Sequence, residues 1–228
     1  MRNGRAAEGQ PSLREPLTID LIDRSINSLF MLRLALAALL FVAPAAAAAQ
    51  DVAVTDRHEA DGTLTLSHEV VVPAPRDAVY AAVATPEGWR TWATPVSWVP
   101  ADDADAIEGS YNPAARPGGT DLIRQHFLAR LPGRLLVFRT VRAPQGFPHF
   151  DVYQRVTIFI ELESVDAGHT RVRLTGTGYA DNEAGRLLFG FFRRGNSISL
   201  ERLRQRFVSG PLDWPAIAAA EARARPAQ

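Results

Sequence analysis

The chain of 228 residues has no cysteine. No disulfide can staple it and no thiolate can hold a metal or attack a substrate, whatever the compartment. It also lacks an excess of charge of either sign, with 25 Lys plus Arg against 25 Asp plus Glu. No overall field therefore steers it to nucleic acid or to an acidic membrane surface. The five histidines, His58, His68, His126, His149 and His169, lie far apart and show neither His-Glu-x-x-His nor Cys/His zinc spacing. A Gly-x-Ser-x-Gly elbow, a phosphate-binding glycine loop, a dinucleotide fingerprint and internal repeats are all missing. Asp102, Asp103 and Asp105 lack the glycine and closing glutamate of a calcium loop and read as a solvated turn. The sequence thus points to no metal, no cofactor, no nucleic-acid partner and no catalytic constellation.

What is present starts with a targeting pattern. From Met31 a basic start at Arg33 leads into the apolar run Leu34 to Val42, then Pro44 and five alanines, Ala45 to Ala49. These are the parts of a secretory signal peptide, with cleavage expected after Ala49 and a periplasmic or secreted mature chain. The alternative is a membrane anchor over residues 34–49, but the apolar part is short of the ~20 residues that span a bilayer. Residues 1–30 are polar and mixed in charge. They form a long n-region unless translation starts at Met31.

The mature chain, 46% apolar overall and 22% charged, reads as one α+β domain over residues 64–208, between a linker at 50–63 and a tail at 209–228. Leu64 to Val72 alternates and then becomes β-branched, predicting a strand. Pro75 can open a helix carrying Ala78, Val79, Ala82 and Val83, which Pro86-Glu-Gly88 ends. Trp89 and Trp92 follow, as core anchors or as ligand platforms. Short strands are expected at Val96 to Val99 and Ala106 to Tyr111. Longer ones are expected at Asp121 to Ala129, Arg134 to Val141, Tyr153 to Ser164 and Thr170 to Tyr179, an antiparallel meander. In the third of these long strands Val156, Ile158, Ile160 and Leu162 share one face. In the fourth, Val172 and Leu174 continue into Gly176 and Gly178, which either leave space above the sheet or permit a bulge. A long helix over Glu183 or Ala184 to Val208 carries Leu188, Phe189, Phe192, Leu200, Leu203 and Phe207 on one face. Asn196 lies on or near that stripe, facing a ligand or the wet margin. Arg193, Arg194, Arg202, Arg204 and Arg206 form a basic set, read as solvated or as a transient contact with anionic lipid. Ala216 to Arg225 is expected to add a loose terminal helix.

The order of elements, together with Glu69-Val-Val-Val-Pro-Ala-Pro-Arg-Asp-Ala-Val79 and Ala84-Thr-Pro-Glu-Gly-Trp-Arg-Thr-Trp92, resembles the START-like superfamily (SRPBCC, polyketide cyclase/dehydrase-like or Bet v 1-like). The resemblance covers Leu64 to Val208. It implies a helix-grip fold, a curved antiparallel sheet wrapped around the long C-terminal helix with an apolar cavity between them. Members include lipid carriers, ligand receptors, cyclases and co-chaperone-like proteins, so the fold alone does not choose an activity. The expected role is binding or carrying a hydrophobic small molecule or lipid, with Trp92, Val156, Ile158, Ile160, Leu174, Gly176, Gly178, Phe192, Asn196 and Leu200 lining the cavity. The alternative is a cyclase-like enzyme, for which His126, His149, Asp151, Tyr153 and Tyr179 are the acid or base candidates by residue type. The segment Gln145 to Asp151 reads either as a lid or as a loop tucking two phenylalanines into the core.

Overall fold

The computed structural model describes residues 52–224. The expected signal peptide, its cleavage site and the anchor alternative lie outside them. The described residues up to Ala219 form one compact unit, and Ala220 onward falls outside it. In chain order the elements are β1 (Ala53–His58), β2 (Thr63–Val72), α1 (Arg76–Ala84), α2 (Pro86–Trp89), β3 (Val96–Trp98), β4 (Ala106–Ser110), β5 (Ile123–Leu131) and β6 (Leu135–Arg142). Then come α3 (Phe150–Tyr153), β7 (Thr157–Ser164), β8 (Thr170–Ala180), α4 (Glu183–Ser209) and α5 (Trp214–Ala224). All eight strands form one antiparallel sheet, ordered β1-β2-β8-β7-β6-β5-β4-β3. This curved sheet and the 27-residue α4 make the α+β helix-grip architecture.

The sheet forms where alternation demands it. Leu64, Leu66, His68, Val70 and Val72 of β2 are all buried on one side, and the register sets them beside Tyr179, Gly176, Leu174, Val172 and Thr170 of β8. Across β7 the same row continues as Ile158, Ile160 and Leu162, and across β6 as Phe138 and Leu136. α4 lies over β2 and β8, pressing Leu188, Leu200 and Leu203 onto this inner face, with exposures of 2% or less. A helix mostly polar on its outer side is stabilised by that apolar stripe rather than by propensity.

Two sequence expectations need correction. Residues 50–63 are not a plain linker, because β1 pairs along β2 through the Asp61-Gly62 turn, where Gly62 takes φ of 81° and Asp61 accepts from the Thr63 amide at 2.9 Å. β1 is an edge strand exposed nearly throughout, so it carries no inward alternation to read. The strand expected from Tyr153 starts instead at Thr157. Tyr153 closes the single turn α3, whose preceding residue His149 is left-handed at φ 53°.

The tryptophan signature has a structural meaning. A helix ends with carbonyls that lack partners, and at α1 three side chains supply them. The indole of Trp89 donates to the Val83 carbonyl at 2.8 Å, the indole of Trp92 to Ala82 at 2.9 Å, and the Thr85 hydroxyl to Ala81 at 2.8 Å. α2 runs so close to α1 that a Cβ on Gly88 would land on the backbone of Ala81 and Ala82. Pro-Glu-Gly-Trp is therefore a packing device between two short helices.

Candidate ligand site on the inner face

The residues expected to line a cavity divide into three groups. Ile158, Ile160 and Leu174 sit on the inner face beneath α4, with Phe192 and Asn196 half-buried on α4 itself. Trp92, Val156 and Leu200 belong to the packed core, at 6%, 0% and 2% exposure, and the polar atom of Trp92 is already committed to α1. The glycines form the third group, and there the expected space is filled. A Cβ built on Gly176 would stand 2.9 Å from the Tyr179 hydroxyl and 3.0 Å from its ring. Gly178 takes φ of 89° at a bulge where the pairing skips from Leu64↔Tyr179 to Thr65↔Thr177. The extra residue turns Tyr179 inward, and its ring covers Gly176.

An aromatic cluster closes this end of the face. Tyr153 stacks on Phe192 at 4.3 Å and 15°, and Phe189 meets Tyr179 edge-on at 5.5 Å. Phe147 meets Phe191 edge-on at 6.2 Å. Of the two readings of Gln145 to Asp151, the loop that tucks Phe147 and Phe150 against the core is the one observed.

Toward β4, β5 and β6 the inner face becomes polar. Ile107 pairs with Gln125, and Gln125 with Thr140. The Thr140 hydroxyl donates to Gln125 Oε1 at 2.8 Å, and Thr140 draws the Tyr153 pKa down against the effect of burial. Tyr111 follows directly on the end of β4, within electrostatic reach of Tyr153. Burial pushes the Tyr111 hydroxyl upward, opposed by the charge of Arg202 on α4, yet 47% of the residue is exposed.

Tyr153 and Tyr179 are held far above the ordinary phenol range, in both cases chiefly by burial. They stay protonated at physiological pH and act as hydrogen-bond donors or acceptors, not as bases. His126 points away from this face: its Nδ1 lies 2.7 Å from Asp103 Oδ2. Asp151 is exposed. Among the described residues Glu108 is the buried carboxylate, and it too faces outward, held by Arg124 at 3.1 Å and Arg142 at 3.3 Å. No group of three or more His, Cys, Asp or Glu among the described residues is placed to hold a metal.

His68 is the ionisable group beneath α4. It is 0% exposed, its Nε2 lies 2.9 Å from the Arg193 carbonyl, and its Nδ1 meets no partner among the described residues. Nε2–H donates to that carbonyl. Burial lowers its pKa, so below the unfolded value of about 6.5 the unfolded chain holds the extra proton. The His68 contribution to stability is therefore complete above that pH and lost as pH falls through the folded value. Urea midpoints at pH 7.5 and 5.0 should drop more for the wild type than for His68→Leu. Equal drops would remove His68 as the cause.

Gln125 and Thr140 carry no functional expectation in the sequence, Tyr111 only that of a strand end, and Arg202 only that of a basic set that is solvated or touches anionic lipid. The usable signal was Gln125 two positions from Phe127 and Thr140 two positions from Phe138, on the core side of their strands.

A solution structure of an Aha1 dimer from Colwellia psychrerythraea is 17% identical over 64% of this chain and 97% of that one, at a TM-score of 0.48. Protein MLL2253 from Mesorhizobium loti is 21% identical over 65% and 99%, at 0.48. CalU16 from Micromonospora echinospora is 16% identical over 76% and 91%, at 0.47. No curated protein matches the sequence. A family model described as polyketide cyclase / dehydrase and lipid transport matches residues 63–208, within which lie β2 to β8 and nearly all of α4, and the chain belongs to that family.

Proposed function

We propose that this is an exported protein that binds and carries a hydrophobic small molecule or lipid between α4 and the inner face of the sheet. The observation that carries the reading is the chemistry of that face. Its aliphatic and aromatic surface is interrupted by Thr140, Gln125, Tyr153 and Tyr111, groups that orient a ligand without exchanging protons near neutrality. An enzyme of the cyclase type needs at least two titratable groups inside, and Tyr153, Tyr179 and His68 supply them. Burial has moved all three away from neutral pH, the tyrosines upward and His68 downward, which favours holding over turnover.

Native mass spectrometry of the full chain, expressed with its own leader and recovered from the exported fraction, tests this directly. The expected result is a mature mass beginning at Gln50, with an apolar small molecule near stoichiometric amounts. Retention of the chain in the cytoplasm would overturn export. A ligand-free mass that takes up no lipid or aromatic compound on incubation would overturn carriage.

A further inference from the structure

Arg193 fixes the orientation of α4. Its guanidinium meets Asp56 of β1 at 2.6 Å, and its carbonyl meets His68 of β2, so that side of the helix looks toward the β1 edge. The opposite flank looks along the inner face toward β6, β5 and β4. At 3.6 residues per turn that flank carries Gly195, Ser199, Arg202 and Arg206, spaced four, three and four apart. All four are half-buried. A Cβ built on Gly195 meets no atom of the described residues within 4 Å, so the flank borders open space.

The two arginines on this flank differ from the other half-buried arginines, apart from Arg76 at the start of α1, whose buried Nε, like that of Arg206, meets no acceptor among the described residues. Arg124, Arg142 and Arg204 each have a carboxylate within ion-pair distance. Arg202 and Arg206 have none among the described residues. Arg202 rests near the Trp214 ring at 5.8 Å, and Arg206 near the Phe207 ring at 5.1 Å. The buried Nε of Arg206 meets no acceptor among the described residues. Like charges four apart on a helix repel. The helix dipole favours a cation within about the last turn, which covers Arg206 but not Arg202, seven residues before the end at Ser209. Two half-buried cations without anions among the described residues, one of them within electrostatic reach of Tyr111, are what an acidic ligand would complete.

We propose that the ligand is an amphiphile with one anionic group, seated between the Arg202 guanidinium and the Tyr111 hydroxyl while its apolar body runs along the inner face toward Phe192. This rests on the carrier reading and adds to it the class of ligand. Arg206, one turn further on, enlarges the positive field at the same end. The Trp214 ring, anchored by its indole nitrogen on the Arg90 carbonyl at 2.6 Å, covers the head-group end.

Two fluorescent compounds that differ only in the acid test the proposal: 8-anilinonaphthalene-1-sulfonate and N-phenyl-1-naphthylamine. The mature domain should bind the sulfonate about tenfold more tightly, the worth of one charge-assisted contact. Arg202→Gln should erase that preference and leave the amine within twofold, while Arg202→Lys should keep part of it. Ser199→Glu, which offers Arg202 a carboxylate from one turn away, should erase the preference with both proposed contacts intact. Equal wild-type affinities for the two compounds would overturn the anionic ligand and leave carriage standing. Equal losses of both compounds in folded Arg202→Gln would overturn it as well. Binding of neither compound by the folded domain would sink carriage itself, and this assignment with it.

Discussion

Replacing Gly185 with alanine is expected to destabilise the protein by about 3 kcal/mol, whereas the same change at Gly190, five residues along the same helix, should stabilise it by about 0.5–1 kcal/mol. Helix propensity alone gives both changes the same favourable sign, because alanine exceeds glycine by about 1 kcal/mol in a helix interior. The surroundings reverse it at one position. α4 starts where the chain leaves β8, and its first turn is pressed onto that strand end. A Cβ on Gly185 would overlap the carbonyl of Ala180, a backbone group that cannot rotate aside. The Gly185 amide is also held by the Asn182 side chain at 2.9 Å as part of the helix cap, so the first turn cannot shift without losing its cap. Gly190 is exposed and a Cβ there meets nothing among the described residues. Urea denaturation of the two variants reads the difference. Stabilisation at both sites would mean that α4 does not dock on β8 as closely as described.

Most of the fold was legible because burial on one face writes a period into the sequence. The alternation of β2 and β7 and the stripe along α4 are that period, and they located the elements to within a few residues. β1 escaped because it is exposed on both sides, and an edge strand held by backbone pairing alone needs no apolar pattern. α3 escaped because a single helical turn is too short to repeat anything, and its entry depends on the left-handed His149. The two glycines of β8 show a different difficulty. Counting by twos places Gly178 inward and Tyr179 outward, and one bulged residue exchanges them. The ring that fills the expected space was thus hidden by a slip of one residue.

The apolar part of the candidate site was legible for the same reason as the core, since both lie on one inner face. Its polar part was not. Tyr111 lies just past the end of β4, in a stretch rich in Pro, Gly and Asp with no period to orient it. Arg202 was one of five arginines on a helix, and that no carboxylate among the described residues pairs with it is a property of three-dimensional neighbours. His126 and Asp103 are 23 positions apart and meet only because a short strand and a loop fold beside β5.

Glu108→Leu is expected to cost about 3 kcal/mol, because its carboxylate is the shared partner of cations on the outer face of the sheet. Glu108 is 2% exposed. It accepts from Arg124 Nε at 3.1 Å, Arg142 at 3.3 Å and the Trp98 indole at 3.1 Å. Leucine would leave the indole donor without its acceptor and two guanidiniums facing each other across neighbouring strands, since Arg124 pairs with Arg142 in the register. Arg124 would retain Asp102 at 3.0 Å and Arg142 would retain the Gly119 carbonyl, which keeps the loss below that of a fully isolated charge. If the cost arises from stranded cations, adding Arg124→Met should recover part of it, so the double variant should lose at least about 1 kcal/mol less than the sum of the two single losses. Strict additivity in urea denaturation would show that the three side chains do not act as a unit. The site makes an independent demand on the same variants. Glu108 and its arginines lie on the face of the sheet opposite Gln125, Thr140 and Tyr153. Naphthylamine affinity per folded molecule should therefore stay within twofold of wild type even as stability falls. A parallel loss of affinity would mean that the outer ion network sets the curvature on which the inner face depends.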